Sequence, residues 1–254
     1  MSEREYHIGL TKEQGARYAI IPGDPARTEQ IAAYFDDAEE IMFNREYRTF
    51  RGHIDGEPVL AISTGIGGPS TAICIEELNH IGVDTLIRVG TCGGMQFEVA
   101  PGDVVIATGA IRMDGTSKEY MPIEFPAVAD FDVTTALVNS AKNLEKPYHV
   151  GVVQAKDSFY GQHSPDTMGV DYELKNKWQA WLKGGCLASE MEGATLFIVS
   201  ALRKIRSGAV FHCVWNQERA GKGMPEDRVM DTDAAVKIAV DAIRSIIEKD
   251  KADK

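Results

Sequence analysis

Apolar runs bounded by glycine, proline and acidic turns divide this chain into strands and helices. Residues 17–22 form a short apolar run that stops at Gly23-Asp24-Pro25, the pattern of a buried strand and its turn, and residues 26–34 read as the helix after it. Residues 48–54 and 58–63 read as two strands joined at Asp55-Gly56, a hairpin dipeptide. A helix is expected over 69–81: it starts with proline, stops at Gly82, and carries Ile73, Leu78 and Ile81. Residues 84–89 are a β-branched run that ends at Gly90-Thr91-Cys92-Gly93-Gly94, and 103–111 are a second apolar run. Further along, 133–143 suggest a helix, 150–155 a strand and 209–215 another strand. Residues 194–205 are apolar on nearly every side, so a buried helix is expected there. Residues 231–249 place Val236, Ile238, Ala239, Ala242, Ile243, Ile246 and Ile247 on one face of a closing amphipathic helix. Strands alternating with helices predict an α/β layered fold with a mostly parallel or mixed sheet. No repeat, low-complexity linker or composition change divides the 254 residues.

Composition narrows the classes of function. A formal net charge of −11 argues against nucleic acid and anionic membranes as partners, since both need cationic patches. No apolar stretch approaches the roughly 18 residues of a bilayer span. The charged residues 1–10 do not read as a secretory signal. Cys74, Cys92, Cys186 and Cys213 lack CxxC spacing and read as thiols of a reducing, cytoplasmic compartment. The histidines form no HxH or HxxxH pair, so no zinc site is expected.

Within an acidic chain, any anion site has to be local. Three segments share one grammar, an apolar strand running into a glycine turn with arginine near by. They are Ile20 to Arg27, Ile62 to Ser70, and Ile87 to Gly94. Glycine lets a backbone approach a ligand and point N–H groups at it, and arginine offers a fork of donors that fits phosphate. Neither a GxxxxGK[ST] loop nor a dinucleotide fingerprint is present, which points to free phosphate or a small phosphorylated molecule. Taken singly, each segment reads first as an ordinary tight turn; the three together weaken that reading.

The residues Ser63-Thr64-Gly65-Ile66-Gly67-Gly68-Pro69-Ser70-Thr71-Ala72-Ile73, with Glu77-Leu78 after them, resemble the signature of the nucleoside phosphorylase family. Pro22-Gly23-Asp24-Pro25 with Arg27, Asn44-Arg45-Glu46, Arg88-Val89-Gly90-Thr91 and Ser189-Glu190-Met191-Glu192 match in the same order. Glu124 to Phe131 resembles the uridine-cleaving branch. The likeness runs from about His7 to the last helix. It implies a single three-layer domain over residues 1–254, with a central mixed sheet flanked by helices. It also implies a reaction: phosphate displaces the base of uridine at C1′ through an oxocarbenium-like transition state, in nucleoside salvage and catabolism.

The resemblance assigns roles. Gly23, Arg27, Arg88 and Thr91 would hold phosphate, joined by Arg45 from a neighbouring subunit. Glu190, Met191 and Glu192 would hold ribose, with His7 reaching it from the partner. Phe159 and Gln162 would hold the base, and Arg88, Glu192 and Gln162 would carry the chemistry. Glu46, Ile66 and Ser70 would hold a potassium ion between subunits. Phosphate is the co-substrate and no other cofactor is required. A homo-oligomer follows, a dimer at least and a hexamer by family pattern. Other readings stay open from the residues alone. Arg27 and Arg45 fit surface salt bridges, Phe159 fits core packing, and Ser189 with Glu192 fits a helix capping box.

The base side departs from the family pattern. Ser164 stands where an arginine is expected two places after Gln162, and Gln217 stands in place of a second arginine; His163 or Arg219 would have to compensate. Residues 211–217 hold no carboxylate to protonate a purine, which favours a pyrimidine. The alternatives are a purine nucleoside phosphorylase and a nucleosidase that uses water.

Overall fold

The structure is a computed structural model describing residues 3–224 and 227–253; Met1 and Ser2, which open the segment read as no secretory signal, lie outside the described residues. In chain order the first half holds β1 (Tyr18–Pro22), α1 (Pro25–Ala32), β2 (Asp36–Asn44), β3 (Tyr47–Ile54), β4 (Glu57–Ile62), α2 (Gly68–His80), β5 (Thr85–Gly94) and β6 (Val104–Met113). The second half holds α3 (Thr116–Tyr120), β7 (Ala127–Val128), α4 (Phe131–Asn143), β8 (Tyr148–Lys156), α5 (Phe159–His163) and α6 (Asp171–Lys183). It closes with β9 (Ala188–Glu190), α7 (Gly193–Arg203), β10 (Arg206–Asn216), α8 (Gln217–Gly221) and α9 (Asp233–Ala252).

One mixed sheet unites the strands, and helices cover both of its faces. β1 runs parallel to β4 and to β5, and β5 runs parallel to β10. Alternate residues of β1 go to opposite cores. Ala19 and Ile21 pack with Leu78, Phe197 and Val199 under α2 and α7. Tyr18 and Ile20 pack with Ile31, Leu137 and Ile243 under α1, α4 and α9. Burial on both faces explains why β1 is a continuous apolar run. It also explains α7, whose residues from Gly193 to Ser200 are all buried.

The expected three layers are therefore present, and the sheet adds a feature the periodicity does not carry: part of it closes on itself. β10 pairs with β5 on one side and antiparallel with β6 on the other. β6 pairs with β8, β8 with β9, and β9 antiparallel with β5. The three-residue β9 completes this ring. Its register sets Ser189 beside Gln154 of β8 and Gly93 of β5.

Seven elements, β2, α3, β7, α5, α6, β9 and α8, lie outside the expected set, and three of them show why. β2 is an exposed edge strand with no apolar alternation, paired only to β3. α6 has no fully buried residue; Leu174, Trp178 and Trp181 share one face that lines a cavity instead of a core, among many charged neighbours. β9 is too short to leave a pattern.

Candidate active site

Ligands of α/β sheets settle at the carboxyl ends of strands. A cleft of about 720 Å³ opens there, beyond β1, β4 and β5. Gly23 and Arg27 reach it from the β1–α1 turn, Gly65 from the end of β4, and Arg88, Thr91 and Gly93 from β5. The three glycine turns thus converge on one space. A side-chain carbon on Gly23 would stand 3.2 Å from the Gly65 carbonyl and 3.9 Å from Arg88 Nη2, so glycine keeps that corner open.

Arg88 is the buried centre of this corner, 4% exposed. Its Nη2 donates to Glu192 Oε2, and its Nε lies 3.6 Å from Glu190 Oε2. Nε and Nη1 have no hydrogen-bond partner. Buried polar groups are rarely left unpaired, so two orphaned N–H groups beside a cleft mark a place for an acceptor. The Arg27 guanidinium makes no hydrogen bond or ion pair among the described residues. Burial, and then the like charge of Arg88, pull its pKa down, with Asp24 opposing. Both observations set aside the surface salt-bridge reading of Arg27 and leave two neighbouring cations on one side of the cleft.

Next to the arginines lies a carboxylate set from the β9–α7 turn. Glu192 Oε1 accepts the Gly67 N–H at 2.6 Å. Gly67 adopts φ +91° and ψ 171°, a conformation essentially confined to glycine. Glu190 accepts the backbone N–H groups of Glu192 at 2.9 Å and Gly193 at 2.8 Å, so its carboxylate closes the start of α7. Burial, and then the charge of Glu192, push the Glu190 carboxyl well above the usual range. Met191 lines the cleft between them. The capping-box alternative is corrected here. Ser189 Oγ turns away from the helix to Gln154 Oε1 at 2.6 Å and Gln162 Oε1 at 2.8 Å, and Glu190 caps instead.

The far wall is aromatic and amide-rich. Phe159 is half exposed in the cleft, stacked obliquely on His163 at 4.4 Å, with Trp215 behind His163 at 6.1 Å. Phe159 is therefore not a core residue. Gln162 sits in the cleft and donates from Nε2 to Gln217 Oε1 at 3.1 Å. Gln217 itself lines an adjoining cavity of about 530 Å³ behind this wall. Ser164 lines neither space; it ends α5, its carbonyl accepting the Thr167 hydroxyl. Arg219 donates to the Phe97 carbonyl. Asn216 is spent on structure, accepting from the Glu218 and Arg219 N–H groups and donating to the Gln96 and Val99 carbonyls. Glu218 accepts from Trp178 Nε1 in the adjoining cavity. Among the described residues, the carboxylates on the cleft are Asp24, Glu190 and Glu192, none of them on the aromatic wall.

Two cations that the sequence did not single out line the cleft, Lys156 and Arg228. This lysine ends β8, is 5% exposed and lines the cleft. Its signal in the sequence was only its place at a strand end, before Asp157-Ser158.

His7 and Arg45 lie away from the cleft but close to each other. His7 Nδ1 pairs with Glu77 Oε1 at 2.6 Å, and Asn44 Nδ2 holds the His7 carbonyl at 2.7 Å. Arg45 is exposed at φ +56° over the Tyr6 ring and, among the described residues, pairs with no carboxylate. Glu46, Ile66 and Ser70 form a third cluster. Ser70 Oγ donates to the Ile66 carbonyl at 3.2 Å, and a side-chain carbon on Gly65 would stand 2.9 Å from Glu46 Cγ.

The sequence profile of the phosphorylase superfamily matches residues 17–249. The chain is 53% identical over 246 residues to a uridine phosphorylase of Treponema pallidum, covering 97% of this chain and 95% of that protein. It is 43% identical over 247 residues to a uridine phosphorylase of Escherichia coli, covering 95% and 98%. It is also 38% identical over 250 residues to a guanosine phosphorylase of Halorubrum lacusprofundi, covering 96% and 99%.

Proposed function

The chain belongs to the phosphorylase superfamily, and from that premise we propose that it is a pentosyltransferase cleaving uridine with inorganic phosphate to uracil and ribose 1-phosphate. The observation that carries this reading is Arg88, buried with two N–H groups unpartnered beside the unpaired Arg27. Water as nucleophile would need no such pair of cations.

The chemistry follows from what each group offers. Arg88 and Arg27 hold the phosphate anion, with Thr91 and the open backbone at Gly23 beside them. A phosphate oxygen forms the bond to C1′ as the bond from C1′ to the base nitrogen breaks. Glu192, bridging Gly67 and Arg88, accepts from the ribose hydroxyls; such bonds to a charged acceptor are strong. Its link to Arg88 fixes sugar and nucleophile relative to each other, so rate arises from positioning and charge. Glu190 supports this set by holding the start of α7. Phe159 offers a face for the base and Gln162 an amide to read it. A purine needs a proton donor at its ring nitrogen, and among the described residues the aromatic wall has no carboxylate to supply one.

The reading needs a second copy of the chain, because His7 and Arg45 serve a cleft other than their own; a dimer is the smallest assembly and a trimer of dimers the family form. Glu46, the Ile66 carbonyl and Ser70 give an oxygen donor set suited to potassium near that contact. The test is chromatography of free base from uridine, thymidine, inosine, guanosine and adenosine, each with and without phosphate. Phosphate-dependent release of uracil is expected. Release of a purine base alone would replace uridine with the substrate class of the guanosine phosphorylase relative, and release without phosphate would make the enzyme a hydrolase.

A further inference from the structure

Lys156 is a buried cation that the mechanism above leaves unused. An ammonium carries three N–H donors. Among the described residues Lys156 has a single hydrogen-bond partner, Ser189 Oγ at 2.7 Å. Two donors of a buried charge are left over, and burying an ammonium without partners is costly. Lys156 and Gln162 line both the cleft and the adjoining cavity, so the ammonium sits in the wall between them. The same Ser189 hydroxyl lies 2.8 Å from Gln162 Oε1, which ties the lysine to the amide expected to read the base. Ser164 and Gln217 leave the two expected places without arginine, Arg219 is turned to the Phe97 carbonyl, and Arg228 lines the cleft but not the adjoining cavity that Lys156 and Gln162 share.

We infer that Lys156 is the base-side cation of this enzyme, its ammonium donating to a carbonyl oxygen of the departing pyrimidine. The inference rests on the uridine reading given above. When the bond to C1′ breaks, its electron pair goes to the base, which leaves as an anion with charge spread over the ring nitrogen and its carbonyl oxygens. Phosphate supplies the pair for the new bond to C1′. Lys156 keeps its proton and stabilises the anion by a charge-assisted hydrogen bond; the base takes a proton from water after release. A fixed donor aimed at developing charge is worth roughly 10²–10³ in rate.

The surroundings suit this role. Burial pulls the Lys156 pKa down to about 8, and Glu190, Glu192 and Cys92 oppose it. His163, on α5, also feels this charge; burial, then Lys156 and then Arg228 lower its pKa. The lysine is therefore charged at neutral pH and loses its charge as pH rises through about 8.

Single-turnover rates of Lys156→Met and the wild type, on uridine and on 5-fluorouridine at saturating phosphate, test this. 5-Fluorouracil is the more acidic leaving group and needs less stabilisation. Lys156→Met is expected to slow uridine about a hundredfold and 5-fluorouridine far less, with the KM for phosphate unchanged. It should also lose the fall in rate above about pH 8 that is expected of the wild type. Ser189→Ala, which keeps the ammonium, should lose much less on uridine than Lys156→Met does. Equal losses on the two nucleosides, or no loss, would overturn the inference while leaving the phosphorylase reading intact. A wild type that releases no uracil with phosphate would overturn both.

Discussion

Arg88 and Glu192 are joined by an ion pair closed off from solvent, between the middle of β5 and the residue before α7. Each partner has a second task. Glu192 also holds the Gly67 N–H, and Arg88 keeps two donors unengaged. Removing Arg88 leaves the Glu192 carboxylate buried without its ion-pair partner, which costs about 3–5 kcal/mol. Arg88→Ala should therefore both lower the melting temperature and cut kcat/KM by about a thousandfold. Phosphate should raise the melting temperature of the wild type and not of Arg88→Ala, because only a binding-competent fold gains stability from ligand. Phosphate stabilisation that survives in Arg88→Ala would remove this residue from the anion site.

The separation of Arg45 and His7 from the cleft makes a prediction about mixtures. Arg45→Ala and Arg88→Ala should each be nearly inactive alone. Refolded together, they should regain activity, since hybrid dimers contain one cleft with both wild-type residues. Mixtures no more active than their components would mean that Arg45 serves no neighbouring site.

Gly67 isolates a backbone effect. A side-chain carbon there would meet nothing within 4 Å, so Gly67→Ala is strained by φ alone. The expected cost is about 1–3 kcal/mol. The strain should displace the N–H held by Glu192, so KM for the nucleoside should rise while KM for phosphate changes little. Initial-rate kinetics varying each substrate in turn would show the split; an equal rise in both would refute it.

Lys156 should weaken the fold that uses it. Its pKa is about 8 in the fold against 10.5 for the free side chain, so the unfolded chain binds the proton more tightly. Stability is thus lower below pH 8 and recovers as pH rises from about 8 to 10.5, a cost on the order of 3 kcal/mol. Lys156→Met is expected to melt higher than the wild type at pH 7, with the gap narrowing towards pH 10. A variant less stable at pH 7 would contradict this account.

The sequence exposed the corner of Gly23, Arg27 and Arg88 because each part is local. A strand, a glycine turn and an arginine stand within a few residues of each other three times. Phe159 and Gln162 were also legible, from the segment around them. What stayed hidden depends on distant pairing. Ser189 and Glu192 are spaced as a capping box, yet the ring of strands turns Ser189 towards Gln154 and Gln162, so Glu190 does the capping. Lys156 looks like a solvated strand end until β9 and α5 cover it. α6 escaped because its tryptophans, Trp178 and Trp181, wall a cavity instead of filling a core.

The closed ring of β5, β10, β6, β8 and β9 has a consequence for how substrate enters. A sheet edge can slide or hinge; a loop of strands that is hydrogen-bonded all the way round has no seam. Arg88, Lys156, Ser189 and Glu190 all stand on that loop, so their spacing is inherited from the barrel-like floor. Admission and release then fall to α5 and to Arg228 and Met230, which line the cleft outside that loop. Selectivity for one base over another can be altered there, or at Lys156, without redrawing the floor.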